Sequence, residues 1–396
     1  MPPIRKVGTL FVDLEARSKK FDEAMLKAGG SAKNLAAVIR AHPIAAAAAL
    51  GAAFALVGAK AVKMASELEN AFGEISTLVN TAEVDVGQLK KEMLELFAAM
   101  PVDELQDMSR GLYQIISASI PAAQSIDFLR VATEAAVAGL TSVEVSVDGL
   151  TTVVNAWARD NITATEVADQ MFTAVRFGKT TFDEIATSVG RVAGLAATMG
   201  ISFKDVLANA TALTLGGVDM ELAMRSIRQT LANVIRPTSA LKTQFPEIAK
   251  TFNRTKLEAD GLTKFMVDLA EALKDNEDAA VLMFQDVNAL NAALQLTGQD
   301  GKRVIRLMGE MERSTGAAGT AFAKMEGTTK NLTKQLKNQF GVVMISLGES
   351  ILPTVNKSLQ VMVNLMSLLN GEVSRLRFDN INNELQFMTK NFDLLS

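Results

Sequence analysis

A chain of 396 residues with 48% apolar side chains can bury a substantial core, so it is not a disordered charged tail. Its net charge of −4, from 40 basic and 44 acidic residues, lacks the basic face that phosphate neutralisation requires. With no cysteine and a single histidine, His42, it excludes disulfides, thiolate or paired-histidine metal sites, cysteine nucleophiles and the usual base for a serine nucleophile.

The apolar set is rich in alanine, leucine, valine and methionine. Aromatics are only 5%, with one Trp (Trp157), one Tyr (Tyr113) and 8 prolines, a mixture that predicts long helices. Met1 to Lys6 lacks the charged-then-apolar order of a secretory signal. Val7 to Leu14 is expected as a short strand and Ala16 to Lys27 as a helix, with Gly29-Gly30-Ser31 as the first break. Ala32 to Leu78 then reads as one long helix interrupted near His42-Pro43, where His42 serves helix entry rather than catalysis. Within it Ile44 to Ala59, IAAAAALGAAFALVGA, is the one membrane candidate. Its helical span of about 24 Å falls short of the roughly 30 Å hydrocarbon core. Gly51 and the surrounding alanines suit burial or close packing against copies of the same helix.

The middle of the chain carries a repeated start signal. Ser or Thr followed three residues later by Glu or Asp makes a capping box, which satisfies orphan amides at a helix N-terminus. It occurs at Thr141 to Glu144, Thr163 to Glu166, Thr181 to Glu184 and Ser202 to Asp205, at intervals of 22, 18 and 21 residues. Gly139, Gly178 and Gly200 lie just upstream, where a left-handed residue would end the preceding helix. The pattern predicts an array of capped helices of about 14 to 17 residues. Apolar faces at helical spacing, Ile185-Val189-Val192-Leu195 and Ile227-Leu231-Val234-Ile235, belong to a packed core. Phe172, Phe177 and Phe182 are expected as core plugs near the junctions. Asp183, Glu184, Asp205, Asp219 and Glu221 sit in first turns, where the helix dipole favours them, and carry no chemistry. Arg225, Arg228 and Arg236 are the nearest approach to a basic stripe, and read as a solvated helix face.

Gly216-Gly217 ends one helix, Asp219 begins the next, and Pro237 closes it after Arg236. Thr238 to Gly261, with Pro246, reads as a polar connector. Helices are expected over Leu262 to Lys274 and Glu277 to Leu296, before a break at Gly298 to Gly301. Towards the C-terminus, Val355, Leu359, Met362, Met366, Leu369, Val373 and Leu376 alternate steps of four and three. Ile381, Leu385, Met388, Phe392 and Leu395 resume the rhythm, which is that of a coiled-coil seam or an amphipathic helix packed within one chain. No phosphate loop, dinucleotide fingerprint, calcium loop or zinc motif appears. The expected architecture is all-α, in three parts: 1–65 with the alanine-rich helix, a helical core over 66–296, and a coiled-coil-like tail over 297–396. No catalytic, cofactor or metal residue is assigned.

Several passages resemble the core of phage tail tape measure proteins. They are Glu67 to Phe72 after the alanine-rich segment, Ala135 to Thr141, and Thr181 to Ile185 with Gly194 to Ala196 and Met199 to Ser202. Leu222 to Leu231 follows, with Ala223-Met224-Arg225 in the place of the family's Leu-Arg pair, then Arg236-Pro237-Thr238. Leu347 to Pro353 matches a Leu-Gly-Glu-x-(aliphatic)-x-Pro passage common after that core. The resemblance covers roughly three quarters of the chain and rests on the order and spacing of the passages.

It implies a helical structural protein that sets tail length and templates tube assembly, in several copies along the tail axis. The implied partners are the tail tube protein, tail assembly chaperones and tail-tip or baseplate proteins. The implied locations are the tail lumen in the virion and the host cytoplasm during assembly, with contact to the host membrane on release. Neither a cofactor nor sequence-specific nucleic acid binding is implied. Family members are usually longer, and some carry a peptidoglycan-cleaving domain, so a short tail's ruler, a fragment and a degraded prophage product are the expectations for this length. The competing reading is a membrane-active helical protein inserting through 44–59.

Overall fold

The computed structural model describes residues 43–274, 276–284 and 299–369, and every regular element among them is helical. In chain order these are α1 (Pro43–Ser76), α2 (Val86–Ala99), α3 (Leu105–Ser117), α4 (Ala122–Gly139), α5 (Val143–Ala156), α6 (Ala164–Phe177), α7 (Phe182–Ser188), α8 (Gly190–Thr198) and α9 (Phe203–Leu215). There follow α10 (Met220–Ile235), α11 (Ser239–Gln244), α12 (Pro246–Thr251), α13 (Arg254–Leu273), α14 (Glu277–Phe284), α15 (Gln299–Glu312), α16 (Ala317–Glu326) and α17 (Thr329–Leu369). The all-α expectation holds. The predicted strand at 7–14, the helix at 16–27, His42 and the seam beyond Leu369 lie outside the described residues.

The described residues gather into two compact units, one within 70–339 and one of 43–69 with 340–369. In the larger unit α4 packs on α3, α5 and α6, and α5 packs on α7. Further along, α10 lies against α8 and α9, α15 against α9, and α16 against α4 and α6. The centre is made of Met108, Leu112, Ile115, Leu129, Leu150, Val167, Met171, Phe182, Ile185, Val192, Val206, Met224, Ile227 and Leu269, all fully buried. Trp157 is also buried, its Nε1 donating to the Ile201 carbonyl at 2.7 Å and its ring 5.4 Å from Phe203. It pins the end of α5 to the start of α9.

Two capping boxes form in full. Thr163 and Thr181 each accept from the amide three residues on, at 3.2 Å, while Glu166 and Glu184 accept from the threonine amides at 2.8 and 3.0 Å. At Ser202 only half forms: Asp205, one methylene shorter than Glu, accepts from the serine hydroxyl instead of its amide. The first box is displaced by one residue. Ser142 caps α5 through the Val145 amide, and Thr141 Oγ1 donates across to Asp183 at 2.9 Å.

The stop signals divide similarly. Gly200 adopts the expected left-handed conformation, with φ 71°. At the end of α4, however, Leu140 turns left-handed (φ 56°) and stands exposed. Gly139 is small for another reason: a Cβ there would lie 2.6 Å from Phe182 Cβ. Gly178 is extended (φ −106°), and a Cβ there would meet Thr211 Cγ2 at 2.6 Å. Both glycines serve close packing rather than chain reversal.

Helix lengths of 14, 14 and 16 residues occur in α5, α6 and α10, as expected. The run 182–198 is instead interrupted at Val189, whose backbone stays right-handed. Ser188 Oγ donates back to the Glu184 carbonyl there, a bond that bends helices. Phe182 is the buried plug expected, whereas Phe172 and Phe177 are only half-buried, with the Arg176 guanidinium 5.0 Å above the Phe177 ring.

Thr238 to Gly261 is not a connector but α11, α12 and the first part of α13. Its polar residues are caps: Thr238 accepts from the Leu241 amide and Asn253 from the Lys256 amide, and Pro246 opens α12. Likewise Gln299 to Gly301 begins α15 rather than a break, because burial of Val304, Leu307 and Met311 along one face overrides the poor propensity of Gly301. Among the described residues no single helix is long and apolar enough to cross a membrane; α4 and α5 together reach the composition but meet at a bend of 119°.

Gly261 (φ 73°) kinks α13, and four charges bridge the kink. Lys256 reaches Asp260 at 2.6 Å and Asp268 at 2.9 Å, and Lys264 reaches Asp268 at 2.6 Å. Hydrogen bonds from Lys256 hold the Asp260 carboxyl below its usual range, and those from Lys264 and then Lys256 do the same for Asp268. Depressed folded values mean that the carboxylates' contribution is complete above about pH 5 and lost as pH falls below the ordinary 3.8. Asp260→Asn combined with Asp268→Asn should therefore lower the urea midpoint at neutral pH and flatten its fall on acidification. An unchanged pH profile would remove the network from the stability of the kink.

The glycines give a paired test. Gly139→Ala should cost about 1–3 kcal/mol in urea unfolding, by overpacking against Phe182. Gly194→Ala, in α8 with nothing within 4 Å of the new methyl, should gain about 0.5–1 kcal/mol.

Candidate functional site

A cleft of about 500 Å³ is lined by Asp103, Asp107, Leu140, Asn331 and Lys334 among others. Asp103 is already paired with Lys334 at 2.8 Å. Burial, followed by the neighbouring Glu104 and Asp103, pushes the Asp107 carboxyl above its usual range. The arrangement is an ion pair beside one half-buried acid and holds no nucleophile–base pair. Among the described residues no three His, Cys, Asp or Glu side chains come together as a metal site. Of the basic-stripe candidates, Arg225 is paired with Glu221 at 2.8 Å, which Arg191 also holds at 2.9 Å. Arg228 lines a separate shallow cleft with Arg191 and Thr187, and Arg236 is the exposed residue ending α10.

The more telling polar contacts fasten helices to one another. Asp169, only 3% exposed on the inner face of α6, accepts from the amides of Gly316 at 2.7 Å and Ala318 at 2.9 Å. These amides open α16, whose own cap residue, Gly316, has no side chain to offer. The unsatisfied N–H groups and positive end of the helix dipole are thus met by a carboxylate 147 residues earlier. Sequence reasoning did not single out Asp169. The available signal was an acid among Val167, Ala168, Met171 and Ala174, where a surface charge has no place.

The first turns of α17 are fastened in the same manner. Asn338, buried, donates through Nδ2 to the Met100 and Val102 carbonyls at 2.9 and 3.0 Å. Gln335 donates to the Ala99 carbonyl at 2.9 Å, and Asn331 to the Met325 carbonyl at 2.8 Å.

In the smaller unit, α17 lies against α1. Gly348 is so close that a Cβ would collide with the Ala61 carbonyl oxygen and stand 2.8 Å from Ala65 Cβ. Met344, Ile345 and Leu352 on α17 and Ala61, Ala65 and Leu68 on α1 are buried. Gly348 is the glycine of the Leu347 to Pro353 passage, so that passage has a physical reason: two backbones touch there.

Residues 90–286 match the family described as phage-related minor tail protein. The chain is 24% identical to a probable tape measure protein of Clostridium phage phiCD119 over 79% of its own length and 34% of the relative's. It is 18% identical to a tape measure protein of Pneumococcus phage Dp-1 over 76% of its own length and 26% of the relative's. The chain is similar to phage tail tape measure proteins over most of its length. It spans about a third or less of the length of these curated tape measure relatives, and no solved structure matches it. The matched stretch takes in Asp169 and ends before Gly316, so the acceptor of the clasp lies inside it and the donors after it.

Asp169→Ala should leave the two amides of α16 without their acceptor and cost about 2–4 kcal/mol in urea unfolding, with Asp169→Asn between it and the parent. Limited proteolysis should cut first near residues 313–317. Parental stability in Asp169→Ala would mean that the clasp holds nothing.

Proposed function

We propose that this chain sets the length of a phage tail and templates the polymerisation of its tube, several copies lying along the tail axis in the lumen. It meets the tail tube protein along its length and the tail assembly chaperones and tail-tip or baseplate proteins during assembly in the host cytoplasm. On release the copies leave ahead of the genome and touch the host envelope. What supports this is the similarity to tape measure proteins together with the division of the chain. A helical core, whose apolar faces are used in its own packing, is joined to two long helices, α1 of 34 and α17 of 41 residues. At 1.5 Å per residue these are about 50 and 60 Å of helix. The whole chain drawn out as one helix would reach roughly 590 Å, and a core that stays folded would shorten the ruler accordingly. The membrane-active reading gains no support from the described helices.

The test is tail length in electron micrographs of phage carrying in-frame changes. Removing thirty residues from a helical segment that acts as ruler should shorten the tail by about 45 Å, with insertions lengthening it by the same rule. Tails of parental length after such deletions would sink the proposal.

A further inference from the structure

Residues 314–339, which carry α16 and the first turns of α17, sit on the core of the larger unit in a way their own pattern does not favour. Of these residues only Ser314, Ala318, Phe322, Asn331 and Asn338 are buried, and just two of the five are apolar. By contrast α10, with 16 residues, buries Met220, Ala223, Met224, Ile227, Leu231 and Val234. In α17 the polarity is inverted. Asn331, Gln335 and Asn338, at steps of four and three, lie on the packed side and donate to main-chain carbonyls. Leu332 and Leu336, about 100° further round the helix, stand 51 and 68% exposed.

A helix in a folded protein draws most of its stability from packing its apolar face. Here the leucines are left in water, and docking depends on fastenings at the two ends. At one end Asp169 accepts from the Gly316 and Ala318 amides. At the other, Gln335 and Asn338 bond to the carbonyls of Ala99, Met100 and Val102, and Lys334 pairs with Asp103. Between the ends the segment is tied to itself. Thr328 Oγ1 and Asn331 Nδ2 both donate to the Met325 carbonyl at 2.8 Å, and Gln335 Nε2 donates to Glu326 at 3.0 Å. These bonds span the turn at Gly327-Thr328, so α16 and the start of α17 move together. The fully buried side chains at the centre of the larger unit all come from residues before 314.

We propose that residues 314–339 form a strap that releases from the folded core as one unit and seats again, with the two fastenings as its latches. Release breaks polar contacts that water can replace and uncovers little apolar surface beyond Ala318 and Phe322. Segments with few buried apolar contacts are those that open below the free energy of global unfolding. Because Gly316 and Asn338 belong to one body, loosening one latch must loosen the other.

Hydrogen exchange read by mass spectrometry on the full-length protein tests this. Amides of 318–326 and 331–339 should share one level of protection, at least about tenfold below that of α4 and α5. Asn338→Ala should speed exchange in α16, and Asp169→Ala in 331–339, each by about 10- to 100-fold, with α5 and α9 unchanged. Faster exchange only beside the substituted residue, or nowhere, would overturn the proposal. So would protection equal to the core's, because the segment would then leave only when the whole unit unfolds. Leu332→Gln combined with Leu336→Gln should leave exchange in α16 as it is in the parent. A rise there would show that the leucines hold the docked state, and the strap as described would be wrong. None of these readouts involves a tail, so the proposed ruler function stands or falls separately.

Discussion

A helix N-terminus packed on a neighbour must find acceptors for its amides, and in this chain the acceptor for α16 is Asp169 on α6. That requirement decides where residues 314–326 can go. With the clasp made, Ala318 and Phe322 of α16 are buried. The carboxylate sits in low-dielectric surroundings, where charge-assisted hydrogen bonds are strong and an unpaired acid would be costly. Clasp and docking therefore depend on each other. Once α16 is seated, Asn331, Gln335 and Asn338 carry the fastening into α17 by bonding to carbonyls at 99–102 and 325.

The same economy of size runs through the helical ladder. Helices come close enough for backbone and Cβ contact at Gly139 against Phe182, Gly149 against Ala186 and Gly178 against Thr211. Close approach multiplies weak dispersion contacts, and it substitutes for the aromatic bulk that this composition lacks. Some interior polar groups tie one helix to another. Asn209 bonds to the Asp205 carbonyl and Thr263, and Thr263 bonds in turn to the Asp205 carboxylate, joining α9 to α13.

What the residues revealed in advance was local. The capping boxes at Thr163 and Thr181, the turn at Gly200, and the limits of α10 between Asp219 and Arg236 depend on groups within four residues of one another, and all were legible. The errors arose where a distant partner decided. Gly139 was assigned to chain reversal because nothing nearby in sequence announces Phe182. Polar residues at 238–261 were taken for a connector because a cap and a loop use the same amino acids. Asp169 lay hidden because its partners are backbone amides, which have no identity in a sequence. The fastening of α16 and α17 joins residues up to 238 positions apart and leaves no local pattern in the sequence.

At Gly348 the seam between α17 and α1 is built of small residues. Helix axes approach as closely as the side chains between them permit, and the usual 8–10 Å shrinks when small residues face each other. With Gly348 set on Ala61 and Ala65, the pair is thinner than leucine-lined helices would be. Thinness has a cost, because each alanine removes little apolar surface from water and the pair gains less free energy per turn than a leucine seam. A compact protein would gain nothing from that exchange. For helices that, under the proposed role, share a tail lumen with other copies, cross-section limits how many can lie side by side. A seam of small residues then serves assembly better than a more stable, wider one.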